Sequence, residues 1–143
     1  MTAMQLATRS VQGLMNKHLV DELLWQKLVA RIERDSRLDR QLAERIMDQA
    51  LGFLRLVSAS PDQAFSPSPM VDIGWHTLVL HTRAYMAFCY EHAGRFIHHE
   101  PTDDAGNHES VIRTASEMRA RGISVDEELW IGSAQCGSHC RTL

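Results

Sequence analysis

The segment from Val71 to His92 constrains the fold of this chain more than any other. It contains no proline and only one glycine, and apolar residues recur so often that a helix here has almost no polar face. Such a helix is stable in water only when other helices cover it on several sides. The apolar positions are Val71, Ile73, Trp75, Leu78, Val79, Leu80, Tyr85, Met86, Phe88, Cys89 and Tyr90. We therefore predict a central helix over residues 71–92 inside a bundle.

The preceding segments supply helices that can cover it. Apolar residues recur at helical spacing over residues 14–32, and polar residues occupy the opposite face, which predicts an amphipathic helix. A second helix is expected to begin at an N-cap, either Asp35 or Ser36, and to continue to Val57. Residues 58–70, "SASPDQAFSPSPM", hold three of the four prolines and must form a loop.

The segments after residue 92 predict less regular structure. Gly94 is expected to end the central helix. Asn107 can begin a further helix that Gly122 closes, and a short turn can carry Leu129 and Trp130 back to the core. No segment shows the alternation of apolar and polar residues that is typical of a strand.

These elements indicate an all-α fold, a single-domain bundle of four or five helices. The chain has 143 residues, 44% of them hydrophobic, which is enough for one substantial core. We assign residues 1–132 to the helical domain. The remaining residues, 133–143, lack periodicity and are expected to form a flexible tail that contains cysteine and histidine.

Charge and composition exclude several classes of partner. The formal net charge is −3 and the basic residues are dispersed, so we expect no nucleic-acid partner. No apolar run approaches the roughly 20 residues that span a bilayer, and we expect no membrane partner. Three cysteines are an odd number for a disulfide framework, which favours the reducing cytoplasm. The sequence does not specify an oligomeric state.

Five of the eight histidines lie between residues 71 and 101. Asp72 and His76 are four positions apart, so on a helix their side chains lie one above the other and could share a metal ion or a hydrogen bond. The alternative is that Asp72 only complements the helix N-terminus and that His76 is a hydrogen-bonded core residue. His81 points about 140° away from His76 and belongs to a different stripe, with Tyr85.

The adjacent pair His98 and His99 follows the predicted end of the central helix. In an extended segment neighbouring side chains point to opposite sides, so one of the two could face Asp72 and His76. A continuous helix would separate Asp72 from Gly94 by roughly 30 Å, at 1.5 Å per residue. The pair can therefore reach Asp72 only if the chain folds back along the helix.

The tail contains the motif "CGSHC", in which Cys136 and Cys140 flank His139. Two thiolates and an imidazole suit zinc or copper(I), and this spacing occurs in structural zinc sites. The motif supplies only part of a closed site, and the alternative is a solvated tail with incidental cysteines. Candidates for a further ligand are His98, His99 and His108.

The residues of this region also carry a family resemblance. The pattern consists of Asp72, Trp75, His76, His81, Thr82, Tyr85, Cys89, Gly94, His98 and His99. It resembles the core motif of the glycine-rich domain-containing protein-like family, known from plants and bacteria. The resemblance covers residues 65–102 and implies a helical domain with a preferred site, but it implies no reaction. Members often end in a long glycine- and cysteine-rich tail, whereas the tail of this chain is much shorter.

Three hypotheses follow. The first is a non-enzymatic module that binds zinc or copper through Asp72, His76 and either His98 or His99, with or without the tail residues Cys136, His139 and Cys140. Supporting or pocket positions around this site would be Trp75, His81, Tyr85 and Cys89. The second is an interaction or carrier protein whose serine- and cysteine-containing tail is modified or recognised by partner proteins. The third is a metal-dependent enzyme with His76 or His81 as acid or base.

Overall fold

Helices form the regular structure of this computed structural model, which describes residues 13–100 and 108–132. Within these residues there is no strand, and no helix is long and apolar enough to cross a bilayer. The all-α prediction is confirmed. In chain order the elements are a 3₁₀ turn (Lys17–Leu19), α1 (Glu22–Ser36), α2 (Arg40–Ser58), α3 (Pro69–Leu80), α4 (Thr82–Ala93), α5 (His108–Ala120) and a π-helical turn (Glu128–Gly132).

Aspartate caps set the starts of α1 and α2. The side chains of Asp21 and Asp39 each accept a hydrogen bond, at 2.8 Å, from the backbone N–H three residues later. These bonds satisfy amides that have no partner inside the helix. The expected helix over residues 14–32 therefore begins later, at the Asp21 cap. The expected second cap at Asp35 or Ser36 is wrong, because α1 continues through both residues.

Helix α2 lies at the centre of the bundle. Every residue from Ile46 to Leu54 is buried, which covers the whole circumference of the helix. Two polar residues, Asp48 and Gln49, lie within this run. The segment that the sequence predicts to be central instead keeps an exposed side, because Met86 and Tyr90 are more than half exposed.

Gln49 attaches the C-terminal turn to the core. Its side-chain oxygen accepts hydrogen bonds from Trp130 Nε1 at 2.8 Å and from the Asp126 amide at 2.9 Å, and its Nε2 donates to Ser124 O at 3.1 Å. Trp130 is also in contact with Phe53, with ring centroids 6.3 Å apart. The predicted return of this turn to the core is confirmed, since Leu129 and Trp130 are buried.

The predicted continuous helix over residues 71–92 is two helices, α3 and α4, that meet at His81. His81 has φ −88° and ψ 70°, which is outside the helical region. Trp75 Nε1 donates a hydrogen bond to Tyr85 Oη at 3.0 Å, although ten residues of straight helix would separate these positions by about 15 Å. The break at His81 therefore changes the direction of the chain between them.

Burial explains why the break is favoured over a continuous helix. The break sacrifices a few backbone hydrogen bonds, each with a net value of about 0.5–1.5 kcal/mol. In return α4 buries Tyr85, Phe88 and Cys89. Burial of a large apolar side chain contributes about 1.5–3 kcal/mol, so two or three such side chains outweigh the lost bonds. A straight helix would carry these residues away from the core.

The crossing of α2 and α3 depends on Gly74. A Cβ atom at this position would lie 2.6 Å from the Ala50 Cβ atom and 3.0 Å from the Ile46 carbonyl oxygen. Neither of these atoms can move by a side-chain rotation. The absence of a side chain at Gly74 therefore sets how closely α3 packs on α2.

We expect the Gly74→Ala substitution to destabilise the protein by about 1–3 kcal/mol, the usual range for overpacking. Helix propensity alone would make the alanine variant more stable, because alanine is the better helix former. The expected change in the free energy of unfolding therefore has the opposite sign. Urea unfolding measures the change. The double variant Gly74→Ala/Ala50→Gly is the control, because it removes the atom that lies nearest to the new Cβ. Its loss of stability should be smaller than the sum of the two single losses, and strict additivity would contradict the crossing argument.

Asp48 is a buried carboxylate that ties the N-terminal turn to α2. Its Oδ1 accepts a hydrogen bond from the Asn16 backbone N–H at 2.7 Å, and its Oδ2 accepts from Asn16 Nδ2 at 3.3 Å. Burial raises the pKa of Asp48 from 3.8 to about 6, and the bonds from Asn16 oppose this rise. The folded protein therefore holds the proton more tightly than the unfolded chain.

Because the pKa of Asp48 is higher in the folded protein than in the unfolded chain, stability falls as the pH rises. The contribution of Asp48 to stability is present in full below pH 3.8 and is lost as the pH rises through about 6. A difference of about 2 between the two pKa values corresponds to about 3 kcal/mol. We expect Asp48→Asn to gain up to this amount relative to the wild type between pH 4 and pH 7, as measured by urea unfolding. A difference that stays constant over this range would contradict the assignment.

Candidate functional site

The break at His81 and the turn at Gly94 return residues 94–100 to α3. Gly94 ends α4 in the left-handed conformation, with φ 70°, as predicted for this residue. The returning chain is held at Ile97, whose carbonyl accepts a hydrogen bond from Tyr85 Oη and whose N–H donates to Cys89 Sγ at 3.5 Å. We call Trp75, Tyr85, Cys89 and Ile97 the clamp. The sequence did not decide whether the chain after Gly94 folds back along the helix. The structure shows that it does.

Tyr85 links the two sides of the clamp. Its hydroxyl accepts the bond from Trp75 Nε1 and donates the bond to the Ile97 carbonyl. Burial raises the pKa of the Tyr85 phenol, against the opposing effect of the Trp75 N–H. Tyr85 therefore stays protonated and remains a donor in the working pH range. The predicted pocket residues Trp75, Tyr85 and Cys89 thus form a buried framework beneath the site.

Above the clamp, His99 lies against Asp72. The ring N–H at His99 Nε2 donates to Asp72 Oδ1 at 2.8 Å, and the ring packs on Trp75 with centroids 4.2 Å apart in an edge contact. The ring of His76 lies 5.8 Å from that of His99. The His99 and Asp72 side chains are 19% and 42% exposed, so solvent reaches the pair. The structure therefore brings Asp72, His76 and His99 together.

The other two histidines near this site lie elsewhere. His98 is exposed, and its ring packs on Phe96 at 5.0 Å, so only one of the adjacent pair faces Asp72. This matches the alternation expected of an extended segment. His81 is at the junction of α3 and α4, where its Nδ1 lies 2.9 Å from the Thr77 carbonyl oxygen, to which it donates. It belongs to the helix junction and not to the Asp72 cluster.

The distances among Asp72, His76 and His99 differ from those among the ligands of a bound metal ion. Among residues 13–100 and 108–132, no group of three or more His, Cys, Asp or Glu side chains is placed to hold an ion. On a tetrahedral zinc ion, ligand atoms are about 3.3 Å apart and imidazole ring centres about 5 Å apart. The Asp72–His99 contact would have to open by about 0.5 Å, and the exposed His76 ring would have to turn inward.

A family model described as UCP032817-like matches residues 13–126. The chain belongs to the UCP032817-like family. The matched range includes the clamp, Asp72, His76 and His99, and it stops before the tail. No curated protein and no solved structure is a significant match. The description names no activity or ligand, and the resemblance to glycine-rich domain-containing proteins stays a prediction.

The remaining predicted ligands are His108 and the three residues of the tail. Cys136, His139 and Cys140 lie outside the described residues, so their metal-binding role stays a prediction. His108 is exposed at the start of α5. A cavity lies between the end of α2 and α4, and the sequence does not predict it because its lining residues are far apart in the chain. One of the lining residues, His92, is a histidine of the segment 71–101.

We expect Tyr85→Phe to destabilise the protein by about 1–3 kcal/mol, because the Trp75 N–H and the Ile97 carbonyl both lose a buried partner. Amide hydrogen exchange should also accelerate over residues 95–100, since the returning segment is held there. Tyr90→Phe is the matched control on the same helix, because Tyr90 is 58% exposed. Equal effects of the two substitutions would show that the clamp does not hold this segment.

Proposed function

We propose that the protein is a non-enzymatic helical module that binds a zinc or copper(II) ion through Asp72, His76 and His99. The observation that carries the proposal is the fold-back of residues 94–100, which places His99 on Asp72 with His76 as a neighbour. One carboxylate and two imidazoles form a ligand set that suits zinc and copper. A water molecule would occupy the fourth position, because the cluster faces solvent.

The clamp supports this role by fixing His99. The ring is packed on Trp75, and the backbone two residues earlier is held by Tyr85 and Cys89, so little entropy remains to be lost when a metal binds. Asp72 and His76 come from successive turns of α3, which fixes their relative position. Binding requires unprotonated imidazoles, so affinity falls as the pH is lowered.

The location and partners proposed for the module rest on composition. Three cysteines fit a reducing compartment, and we propose that the protein acts in the cytoplasm. We also propose that the tail, with Cys136, His139 and Cys140, adds soft ligands or contacts a partner protein. Truncation after Gly132 separates these roles from the cluster in the helical domain.

Isothermal titration calorimetry with zinc chloride tests the proposal on the full-length chain and on the chain truncated after Gly132. We expect one equivalent to bind to both forms. His76→Ala should weaken binding at least tenfold, about 1.4 kcal/mol, without a loss of stability, because His76 is exposed. Zinc at about 100 times its dissociation constant should stabilise the wild type by about 2.7 kcal/mol.

His98→Ala is the control, because it removes an exposed histidine of the same segment that does not face Asp72. It should leave the affinity unchanged. An equal loss of affinity in His98→Ala and His76→Ala would overturn the assignment of ligands. Loss of binding on truncation, with His76→Ala unaffected, would place the site in the tail.

A further inference from the structure

Arg95 connects the returning segment, residues 94–100, to the end of α2. Its Nη2 donates a hydrogen bond to the Val57 carbonyl oxygen at 3.0 Å, and its Nη1 donates to the Ser58 carbonyl oxygen at 3.4 Å. Both acceptors lie in the last turn of α2, where carbonyl groups have no partner inside the helix. The clamp holds the same segment through residues of α3 and α4. Arg95 therefore adds an attachment to a third helix.

The chemistry of this contact suits an arginine. The carbonyl end of a helix carries a partial negative charge, which attracts a cation. The planar guanidinium group has several N–H donors, so it can bond the carbonyl oxygens of two successive residues at once. Both bonds are partly buried, which limits competition from water. The contact is therefore specific to the end of α2.

The attachment acts close to a predicted metal ligand. His99 follows Arg95 by four residues, which span at most about 13 Å of extended chain. Gly94, the residue before Arg95, does not direct the chain by packing. No atom from elsewhere in the part of the chain that the structure describes lies within 4 Å of where its Cβ would be. Residues after Gly94 must therefore fix the path to His99, and Arg95 is the first of them.

We propose that Arg95 is a positioning residue for the Asp72 cluster, which places His99 opposite Asp72 by holding the returning segment on α2. The inference rests on the proposed function, because it concerns the affinity of this cluster for zinc. Arginine has only donor groups, so Arg95 supplies no ligand atom. It acts through the backbone that carries His99.

The expected effect of Arg95 on zinc binding is opposite to the effect of its charge. A cation near the site repels a zinc ion, so removal of the charge alone would tighten binding. Removal of the attachment adds an ordering cost, because the segment that carries His99 must first be fixed. A positioning role therefore predicts weaker binding in Arg95→Gln, and the sign of the change separates the two effects.

The coupling between the attachment and the metal also acts in the reverse direction. If the bonds of Arg95 raise the affinity for zinc by some factor, bound zinc stabilises those bonds by the same factor. Zinc should therefore slow the exchange of the Arg95 guanidinium N–H groups with solvent. The end of α2 would thereby respond to a metal bound at the Asp72 cluster.

The test combines calorimetric titration of the full-length chain with zinc chloride and ¹H–¹⁵N NMR of the metal-free protein. Arg95→Gln should weaken zinc binding at least about fivefold, the lower end of typical couplings between sites. Without metal, the N–H at His99 Nε2, which donates to Asp72, should exchange faster in this variant. Arg95→Lys keeps the charge and at least one donor at the end of α2, so it should recover part of the affinity.

Arg83→Gln is the matched control, because it removes the same charge at an exposed position of α4. It should not weaken zinc binding. Unchanged or tighter binding in Arg95→Gln would overturn the inference and leave the proposed function intact. Faster exchange throughout the core, without recovery in Arg95→Lys, would show a purely stabilising role and contradict the inference.

A wild type that binds no zinc would overturn the proposed function separately. The exchange rates of the metal-free variants then decide whether Arg95 places His99. Faster exchange at His99 Nε2 in Arg95→Gln alone would support this placement, and equal rates in Arg95→Gln and Arg83→Gln would overturn it.

Discussion

The hydrogen-bond relay from Trp75 through Tyr85 to the Ile97 carbonyl holds together the part of the molecule that surrounds the Asp72 cluster. Its three groups come from α3, from α4 and from the returning segment, so it joins elements that the break at His81 separates. Because the relay is buried, none of its members can exchange its partner for water without cost. The contact between His99 and Asp72 is a consequence of this arrangement. Trp75, Tyr85 and Cys89, which the sequence suggested as pocket residues, therefore support the candidate site from beneath.

The sequence was sufficient to predict the class of fold and several element ends. Helical spacing of apolar residues identified the helices, and Gly94 marked the end of α4 because its left-handed conformation disfavours other residues. The starts of helices were less predictable. Asp35 and Ser36 have the same capping chemistry as Asp39, and only the left-handed turn at Arg37 and the packing of α1 on α2 decide among them. The capping hydrogen bond is a local interaction, whereas tertiary packing decides which of several similar residues forms it.

The break at His81 and the composition of the site illustrate the same limit. No proline or glycine marks the break, which arises because burial of α4 outweighs the backbone bonds that are lost. The spacing of Asp72 and His76 predicted one half of the cluster from helix geometry. The other half, His99, could not be predicted without knowledge of the break at His81 and the return of the chain after Gly94. The cavity was beyond prediction, because Arg55 and Ser58 meet His92 only through the packing of α4 on the end of α2.

The attachment of the C-terminal turn to Gln49 has a consequence for synthesis of the chain. Gln49 is separated from Trp130 by 81 residues. The side-chain amide of Gln49 and one face of the Phe53 ring therefore remain exposed until almost the whole helical domain has left the ribosome. Contacts of such long sequence separation close late, because the intervening loop entropy must first be overcome. The core of the domain is therefore completed only when its last turn docks. Its central helix is the part most in need of protection while the polypeptide is being made.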